Sequence, residues 1–182
     1  MTEEKGKGIV ENLKLWNQVC FTNPGTKKEA NIGKQQITSI RPQSQRKRAT
    51  EIFGPYGIGW GIIPASEKFE FNTFGETTMV SYFAILFYIL DGIRGEIPIN
   101  ACIKVAYMTK GYDGKPGYML LDDEYTKKVQ TNALTKGLST LGFNSDVFEG
   151  WFDDCKYVQS MKEYFNPQPV DPNANTFNQG DV

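Results

Sequence analysis

Adjacent acidic residues are the first feature of this sequence that could perform chemistry. The pairs Asp122-Asp123 and Asp153-Asp154 could coordinate magnesium, as a metal-dependent nuclease requires. However, the first pair lies where a helix favours a cap and negative charge near its N-terminus. The second pair lies in a short connecting segment without a further carboxylate cluster. We therefore interpret both pairs as structural, and a nuclease using these four residues stays as an alternative.

The absence of histidine excludes several kinds of catalysis. A chain without histidine lacks the commonest general base and every catalytic triad built on imidazole. Its three cysteines, Cys20, Cys102 and Cys155, are widely spaced, form no metal-ligand pair and are typical of a reducing compartment. No GxxxxGK[ST] phosphate loop occurs, so nucleotide-driven work is not expected. The sequence predicts a binding protein without a cofactor, and not an enzyme.

A basic segment precedes a glycine-rich aromatic loop, GPYGIGWG. Segment 27–48 contains seven basic residues and one acidic residue, Glu29. Of the 20 basic and 21 acidic residues in the chain, 13 basic and 20 acidic ones therefore lie elsewhere. A solvated helix face would explain an isolated run of three charges, but four further basic residues upstream favour an anion-binding role. The seven residues are Lys27, Lys28, Lys34, Arg41, Arg46, Lys47 and Arg48.

Hydrophobic spacing predicts two helices in the first third of the chain. Residues 9–21 show apolar side chains at helical spacing, and a possible extended segment follows and ends at Ile40. Pro42 favours the start of a helix that runs to about residue 53, where Gly54-Pro55 stops it. Its apolar side is predicted to leave the basic triplet 46–48 facing solvent. That side comprises Gln45, Ala49, Ile52 and Phe53. The glycines that follow are interpreted as a strand-entry turn, because a nucleotide loop would have the reverse order of strand and helix.

The central region predicts an antiparallel sheet. The segments 60–72 and 77–90 are rich in β-branched and aromatic residues, and Asp91-Gly92 is a hairpin signal. The next segment, 96–108, alternates apolar and polar residues, which predicts one buried and one wet face. Residues 80–90 are apolar on both faces, so we expect that strand to be central and covered by a helix or by a neighbouring subunit.

The best helix of the sequence is predicted at residues 122–141. Asp122 or Asp123 is expected to cap it, and Gly142 to end it with Phe143 packing back. Small residues at Ala133 and Gly137 would let it lie close to the sheet. From residue 165 the chain has little apolar content, so residues 165–182 are interpreted as a disordered tail after a domain at residues 1–164.

The order of these motifs resembles that of phage single-strand annealing proteins of the Rad-fifty-two superfamily. The resemblance rests on ATEIFGPYGIGWG, on the Asp-Gly hairpin and above all on a helix pattern in the segment KKVQTNALTKGLSTLG. It covers roughly residues 10–160. The residues that fill the helix pattern are Lys127, Thr131, Asn132, Ala133, Leu134, Gly137, Leu138, Leu141 and Gly142.

The resemblance implies an α+β annealing domain, with a twisted antiparallel sheet packed against a long helix. It also implies homo-oligomeric rings or filaments that bind single-stranded DNA in a basic groove and pair complementary strands without ATP. The long helix of the eukaryotic members carries several basic residues, whereas the matching stretch here keeps only Lys136 and has Thr135 and Ser139 instead. The candidate DNA-binding residues are Lys34, Arg41, Arg46, Lys47, Arg48, Lys128 and Lys136.

Cell location and partners follow from the same observations. The polar start of the chain is not a signal peptide, and the most apolar run is far shorter than the roughly 20 residues of a membrane helix. We therefore expect a protein of the bacterial host cytoplasm whose tail could recruit a replication or single-strand-binding protein. A structural adaptor that has lost DNA binding is the second alternative.

Overall fold

The computed structural model describes residues 11–32, 35–111 and 113–166, which form a mixed α+β fold with antiparallel sheets. Within these residues the α-helices are α1 (Lys14–Val19), α2 (Pro42–Phe53), α3 (Tyr125–Thr140), α4 (Ser145–Phe148) and α5 (Cys155–Phe165). The strands are β1 (Lys27–Ile32), β2 (Gln35–Ile40), β3 (Trp60–Ile62), β4 (Lys68–Phe74), β5 (Thr77–Leu90), β6 (Ile93–Met108) and β7 (Met119–Leu121). The α+β prediction is confirmed.

A five-stranded sheet forms the centre of the fold. Its strands follow the order β3-β5-β6-β7, and β4 pairs with β5 on the same side as β3. The long hairpin of β5 and β6 turns at Asp91 and Gly92, whose φ angles of +51° and +79° suit the tight turn that the sequence predicted. The predicted central position of β5 is confirmed as well.

Helix α3 covers one face of this sheet. Val129, Ala133, Leu134 and Leu138 are buried against side chains of β5 and β6. Helix and sheet lie so close that a Cβ at Gly137 would overlap a methyl group of Ile99. The apolar stripe and the small residues that the sequence singled out therefore pack as predicted.

The other face of the sheet is only partly covered. Phe87 is buried beneath the guanidinium of Arg94, which lies 4.6 Å from the ring centre, but Phe83 remains 41% exposed. A single chain therefore leaves apolar surface on this face of β5. That a neighbouring subunit covers this surface stays a prediction.

The two ends of α3 differ in how well the sequence predicted them. The helix begins at Tyr125, and its N-cap is Glu124, so the predicted cap by Asp122 or Asp123 is wrong. Asp122 lies two residues before this cap, where its carboxylate accepts a hydrogen bond from the Glu124 amide at 3.1 Å. At the C-terminal end Gly142 has a φ of +96°, and the amides of Gly142 and Phe143 bond back to Ser139 and Leu138, as expected.

The terminal segments correct several predicted boundaries. Helix α1 is shorter than the predicted 9–21, and residues 1–10 lie outside the described part of the chain. The extended segment ends at Ile40 as predicted, but it pairs with β1 in a hairpin that the sequence did not predict. Helix α5 includes Phe165, so the predicted tail cannot begin there, and residues 167–182 also lie outside the described part. None of the described helices is long and apolar enough to cross a membrane.

Candidate nucleic-acid interface

Helix α2 carries three of the seven predicted DNA-binding residues, Arg46, Lys47 and Arg48. Its bounds and its buried side agree with the sequence, because Gln45, Ala49 and Phe53 are buried and Ile52 is half-buried. The helix ends where Gly54 adopts a φ of +94°, a conformation that favours glycine. The opposite side of α2 therefore presents Lys47 and Arg48 to the surface.

The three residues of the basic triplet lie in different environments. Lys47 is exposed, whereas Arg46 is half-buried, and its Nη2 lies 3.4 Å from the Thr131 hydroxyl on α3. Arg48 donates hydrogen bonds to the Glu51 carboxylate at 2.9 Å and to the Gln18 carbonyl at 2.8 Å, which ties α2 to α1. The prediction that all three face solvent is therefore wrong for Arg46, and Arg48 is already engaged within the protein.

The remaining predicted cations are also unequal. Arg41 is exposed at the start of α2 and Lys136 is exposed on α3, and no acidic side chain of the described residues forms an ion pair with either. Lys128 instead lies 2.8 Å from both oxygens of Asp122. Its hydrogen bond lowers the pKa of Asp122 and raises that of Lys128. Lys34 lies outside the described residues.

The glycine-rich loop folds back tightly against the end of α2. A Cβ at Gly59 would overlap the carbonyl oxygen of Phe53, so the close approach requires glycine. The Trp60 ring is buried, and its Nε1 donates to the Thr50 hydroxyl of α2 at 3.3 Å. Tyr56 contacts Trp60 edge-on at 5.0 Å between ring centres and is 56% exposed. The strand-entry turn was predicted, but the exposed aromatic ring was not singled out.

Helix α2 and this loop enclose a cleft of about 760 Å³. Arg46 and Lys47 line it together with Tyr56 and Trp60, and Leu134 of α3 lies at its wall. The basic segment and the aromatic loop therefore belong to one surface feature.

Two acidic residues also line the cleft, and both are engaged. Glu51 pairs with Arg48. Glu67 accepts hydrogen bonds from the Tyr82 hydroxyl at 2.7 Å and from the Gln130 amide at 2.9 Å. Burial, followed by the bond to Glu67, raises the pKa of Tyr82, which stays protonated as the donor. Sequence reasoning missed Glu67 and Gln130, because they meet only in the folded chain.

This arrangement can bind a flexible, negatively charged polymer. Lys47 and Arg46 offer donors for phosphate oxygens, and the exposed ring of Tyr56 offers a surface on which a base can stack. Stacking on an aromatic ring tolerates any base, since every base has a π face. The cleft therefore suits single-stranded nucleic acid without sequence preference.

The acidic pairs do not assemble a metal site within the described part of the chain. No group of three or more acidic or cysteine side chains there is placed to hold a metal ion. Asp122 is engaged by Lys128, and Asp154 caps α5 by accepting a hydrogen bond from the Lys156 amide at 2.8 Å. Both carboxylates therefore have partners within the fold, although Asp122 is not the predicted helix cap, and the nuclease alternative stays a hypothesis.

Comparison with known proteins leaves the site to be interpreted from its own geometry. No protein-family model matches the chain, and no curated protein is significantly similar to it.

Proposed function

We propose that the protein binds single-stranded DNA along the cleft between α2 and the glycine-rich loop and anneals complementary strands without ATP. The observation that carries this proposal is that Arg46 and Lys47 share one cleft with the exposed ring of Tyr56. Cations next to an accessible aromatic ring are the combination that single-strand binding requires.

Annealing sets a physical condition that this surface meets. Two strands can pair on a protein only if their Watson–Crick edges stay free, so the protein should hold phosphates and base faces. Lysine, arginine and tyrosine supply such contacts without reading the sequence. The excess of acid elsewhere in the chain would repel DNA from other surfaces and favour the cleft.

The resemblance to phage single-strand annealing proteins of the Rad-fifty-two superfamily supports the same function. It implies a Rad-fifty-two-like annealing domain that works as a ring or helical filament in the cytoplasm of a bacterial host. It also assigns Lys136 to the inner DNA groove. The antiparallel sheet covered by α3 is compatible with such a domain.

Exposure and ion pairing support a smaller set of phosphate contacts within this proposal. Arg41, Lys47 and Lys136 are exposed cations without an acidic partner among the described residues. Arg46 contributes from the wall of the cleft, and we assign mainly structural roles to Arg48 and Lys128. The proposed DNA path therefore follows α2 and the exposed side of α3.

A strand-pairing assay tests the function directly. Two complementary oligonucleotides, each carrying one dye of an energy-transfer pair, are mixed with the protein in EDTA and without ATP. We expect faster energy transfer than without protein, with strands that remain intact on a denaturing gel. The double variant Lys47→Ala/Tyr56→Ala should pair strands more slowly, while Lys156→Ala, which removes an exposed lysine outside the cleft, should not.

The same assay with magnesium or manganese separates the alternatives. Shortened strands would support the nuclease that uses Asp122, Asp123, Asp153 and Asp154. Unchanged pairing rates together with no salt-sensitive binding of single-stranded DNA would support the adaptor. Either result would overturn the proposed function.

A further inference from the structure

The central sheet ends on both sides in strands with an open edge. No described strand pairs with the outer edge of β4 or with the outer edge of β7. An open edge offers unpaired backbone N–H and C=O groups to another strand. The direction of these groups can be read from the hydrogen bonds next to each strand.

Alternate residues of β7 point their backbone groups away from the sheet. The Tyr118 carbonyl accepts from the Thr109 amide at 2.9 Å, and the Asp122 amide donates to Val105 at 2.7 Å, so both residues point towards β6. Because strand residues alternate, the N–H and C=O groups of Met119 and Leu121 point outward.

The same reasoning applies to β4. The Ile85 amide donates to the Ser66 hydroxyl at 2.8 Å, and its carbonyl accepts from the Ile63 amide at 2.9 Å. The backbone groups of odd-numbered β5 residues therefore point towards β3 and β4. Along β4, the partners of β5 residues 79, 81 and 83 are residues 72, 70 and 68, respectively. The alternate residues Phe69, Phe71 and Thr73 then direct their backbone groups to the open edge.

Large apolar side chains flank both open edges. Their exposed fractions range from 52% for Phe71 to 70% for Leu121. Such concentrated exposure of apolar side chains marks a contact surface. The set comprises Phe71 and Phe74 at β4, and Tyr118, Met119 and Leu121 at β7.

We propose that the outer edge of β7 pairs with the outer edge of β4 in a second copy of this chain. The strands β4, β5, β6 and β7 alternate in direction, so β7 runs opposite to β4. A second copy placed beside the first without reversal would continue the antiparallel pattern. The partner is thus another copy in a head-to-tail arrangement.

One register satisfies both the backbone and the side chains. If Leu121 pairs with the partner copy's Phe71, then Met119 pairs with Thr73, and all four residues have outward-pointing backbone groups. Leu121 and Phe71 then lie on the sheet face that α3 covers, and Tyr118 meets Phe74 on the opposite face. Apolar side chains become neighbours at two positions, which stabilises a strand pair.

Charges around the edges are compatible with this register. In this register the partner copy's Glu76 lies opposite residue 116, next to Lys115. Both charged side chains are exposed, so opposite charges come together near the turns. At the other end Asp122 comes opposite Glu70, but Lys128 and Lys68 already pair with these two carboxylates. Like charges therefore do not oppose the contact strongly.

The pairing uses two different surfaces of the chain, so each added copy leaves a free edge. Such a heterologous contact generates a ring if the rotation between copies closes, and a helical filament if it does not. The inference concerns assembly only, and its test needs no DNA. It names the contact for the ring or filament that the proposed function includes, and its failure would not bear on the proposed DNA binding.

Cysteine cross-linking tests the register. In a chain with Cys102→Ser and Cys155→Ser, one variant carries Phe71→Cys and another carries Leu121→Cys, and the two are mixed and oxidised mildly. Paired antiparallel residues have Cα atoms about 5.5 Å apart, within the range of a disulfide. We expect a cross-linked dimer in the mixture only. Replacing Phe71→Cys by Glu70→Cys, whose side chain lies on the other face of the sheet, should abolish it.

Sedimentation provides a second, independent measurement. Phe71→Glu and Leu121→Lys should each shift the protein towards monomer, and the double variant should restore assembly through the opposite charges. Circular dichroism checks that each variant is folded. Cross-linking no stronger than the Glu70→Cys control, or assembly that neither single variant weakens, would overturn the proposal.

Discussion

The basic residues of this chain are not equivalent, although their sequence pattern treats them alike. Lys128 lies within reach of Asp122, and Arg48 bonds to the backbone of Gln18, thirty residues away. The sequence predicted a cluster of positive charge. It could not show which charges other parts of the chain neutralise, because that depends on tertiary contacts.

The ion pair of Asp122 and Lys128 yields a prediction about binding strength. Asp122→Asn should release Lys128. This lysine lies eight residues before Lys136 on α3, and both side chains are exposed. We expect tighter binding of single-stranded DNA and a log-log salt slope steeper by about 0.7 for one added phosphate contact. A salt series of fluorescence anisotropy titrations measures both.

Asp123→Asn is the matched control, because it removes the same charge from the neighbouring residue. If both variants change the slope equally, the effect comes from net charge, and Lys128 does not face the DNA.

The same pair predicts how the stability changes with pH. The pKa of Asp122 is lowered in the folded protein from its ordinary value of 3.8, so ionised Asp122 stabilises the fold above that pH. The contribution is lost as the pH falls through the lowered pKa. The difference in unfolding free energy between wild type and Asp122→Asn should therefore be present at pH 7 and vanish in strong acid. Urea unfolding at several pH values tests this, and a pH-independent difference would contradict it.

At the scale of elements, the site depends on how α2 meets the loop that follows it. Gly59 lets the loop approach the Phe53 carbonyl and thereby places Tyr56 beside Arg46 and Lys47. Sequence reasoning recognised both the helix and the turn. It did not foresee that the turn folds back along the helix, because this depends on a backbone contact.

We predict that Gly59→Ala destabilises the protein by about 1–3 kcal/mol, because the added Cβ overlaps backbone that can shift only with the loop. Chemical denaturation measures the loss. Ile58→Ala removes an exposed neighbouring side chain and should change stability little. Equal stability of Gly59→Ala and wild type would show that the close approach is not required.

A buried carboxylate, that of Asp146, joins two helices and the segment that follows α1. Asp146 accepts hydrogen bonds from the Thr22 amide and hydroxyl at 2.7 and 2.6 Å and from the Tyr157 hydroxyl at 2.8 Å. Burial, followed by the bond to Asp146, raises the pKa of Tyr157. The segment after α1 is thereby joined to α4 and α5.

We predict that Asp146→Ala destabilises the protein by more than about 2 kcal/mol, because it leaves buried donors without an acceptor. Tyr157→Phe should have a smaller effect, since it removes one of these bonds. Thermal or urea unfolding tests the order, with Glu149→Ala as an exposed acidic control. A loss for Asp146→Ala no larger than for Glu149→Ala would contradict this role.

The sheet was more predictable than the segments around it. Alternating and continuous apolar runs predicted β5 and β6, because residues that face a core repeat along a strand with period two. The hairpin of β1 and β2 and the interruption between β3 and β4 were not recognised, and the buried position of Asp146 depends on contacts with Thr22, 124 residues away. Neither hydrophobic period nor local composition encodes such contacts.

On the scale of the whole molecule, the central claim is that the charge asymmetry of the chain directs single-stranded DNA to one cleft. Within segment 27–48, Arg41 and Lys47 are exposed at the start of α2 and on it, and Arg46 lines the cleft, while the excess acid is distributed over the rest of the chain. An exposed aromatic ring in the same cleft distinguishes this surface from a merely solvated helix face.

The most direct test is the salt dependence of single-stranded DNA binding, measured by fluorescence anisotropy with two oligonucleotides of unrelated sequence. We predict that Lys47→Ala weakens binding equally for both and reduces the log-log slope by about 0.7, as the loss of one phosphate contact requires. Tyr56→Ala should weaken binding by about 1–3 kcal/mol at every salt concentration and leave the slope unchanged. Lys156→Ala should behave like wild type. If Lys47→Ala and Tyr56→Ala both bind like Lys156→Ala at all salt concentrations, the cleft does not hold the DNA and the account is wrong.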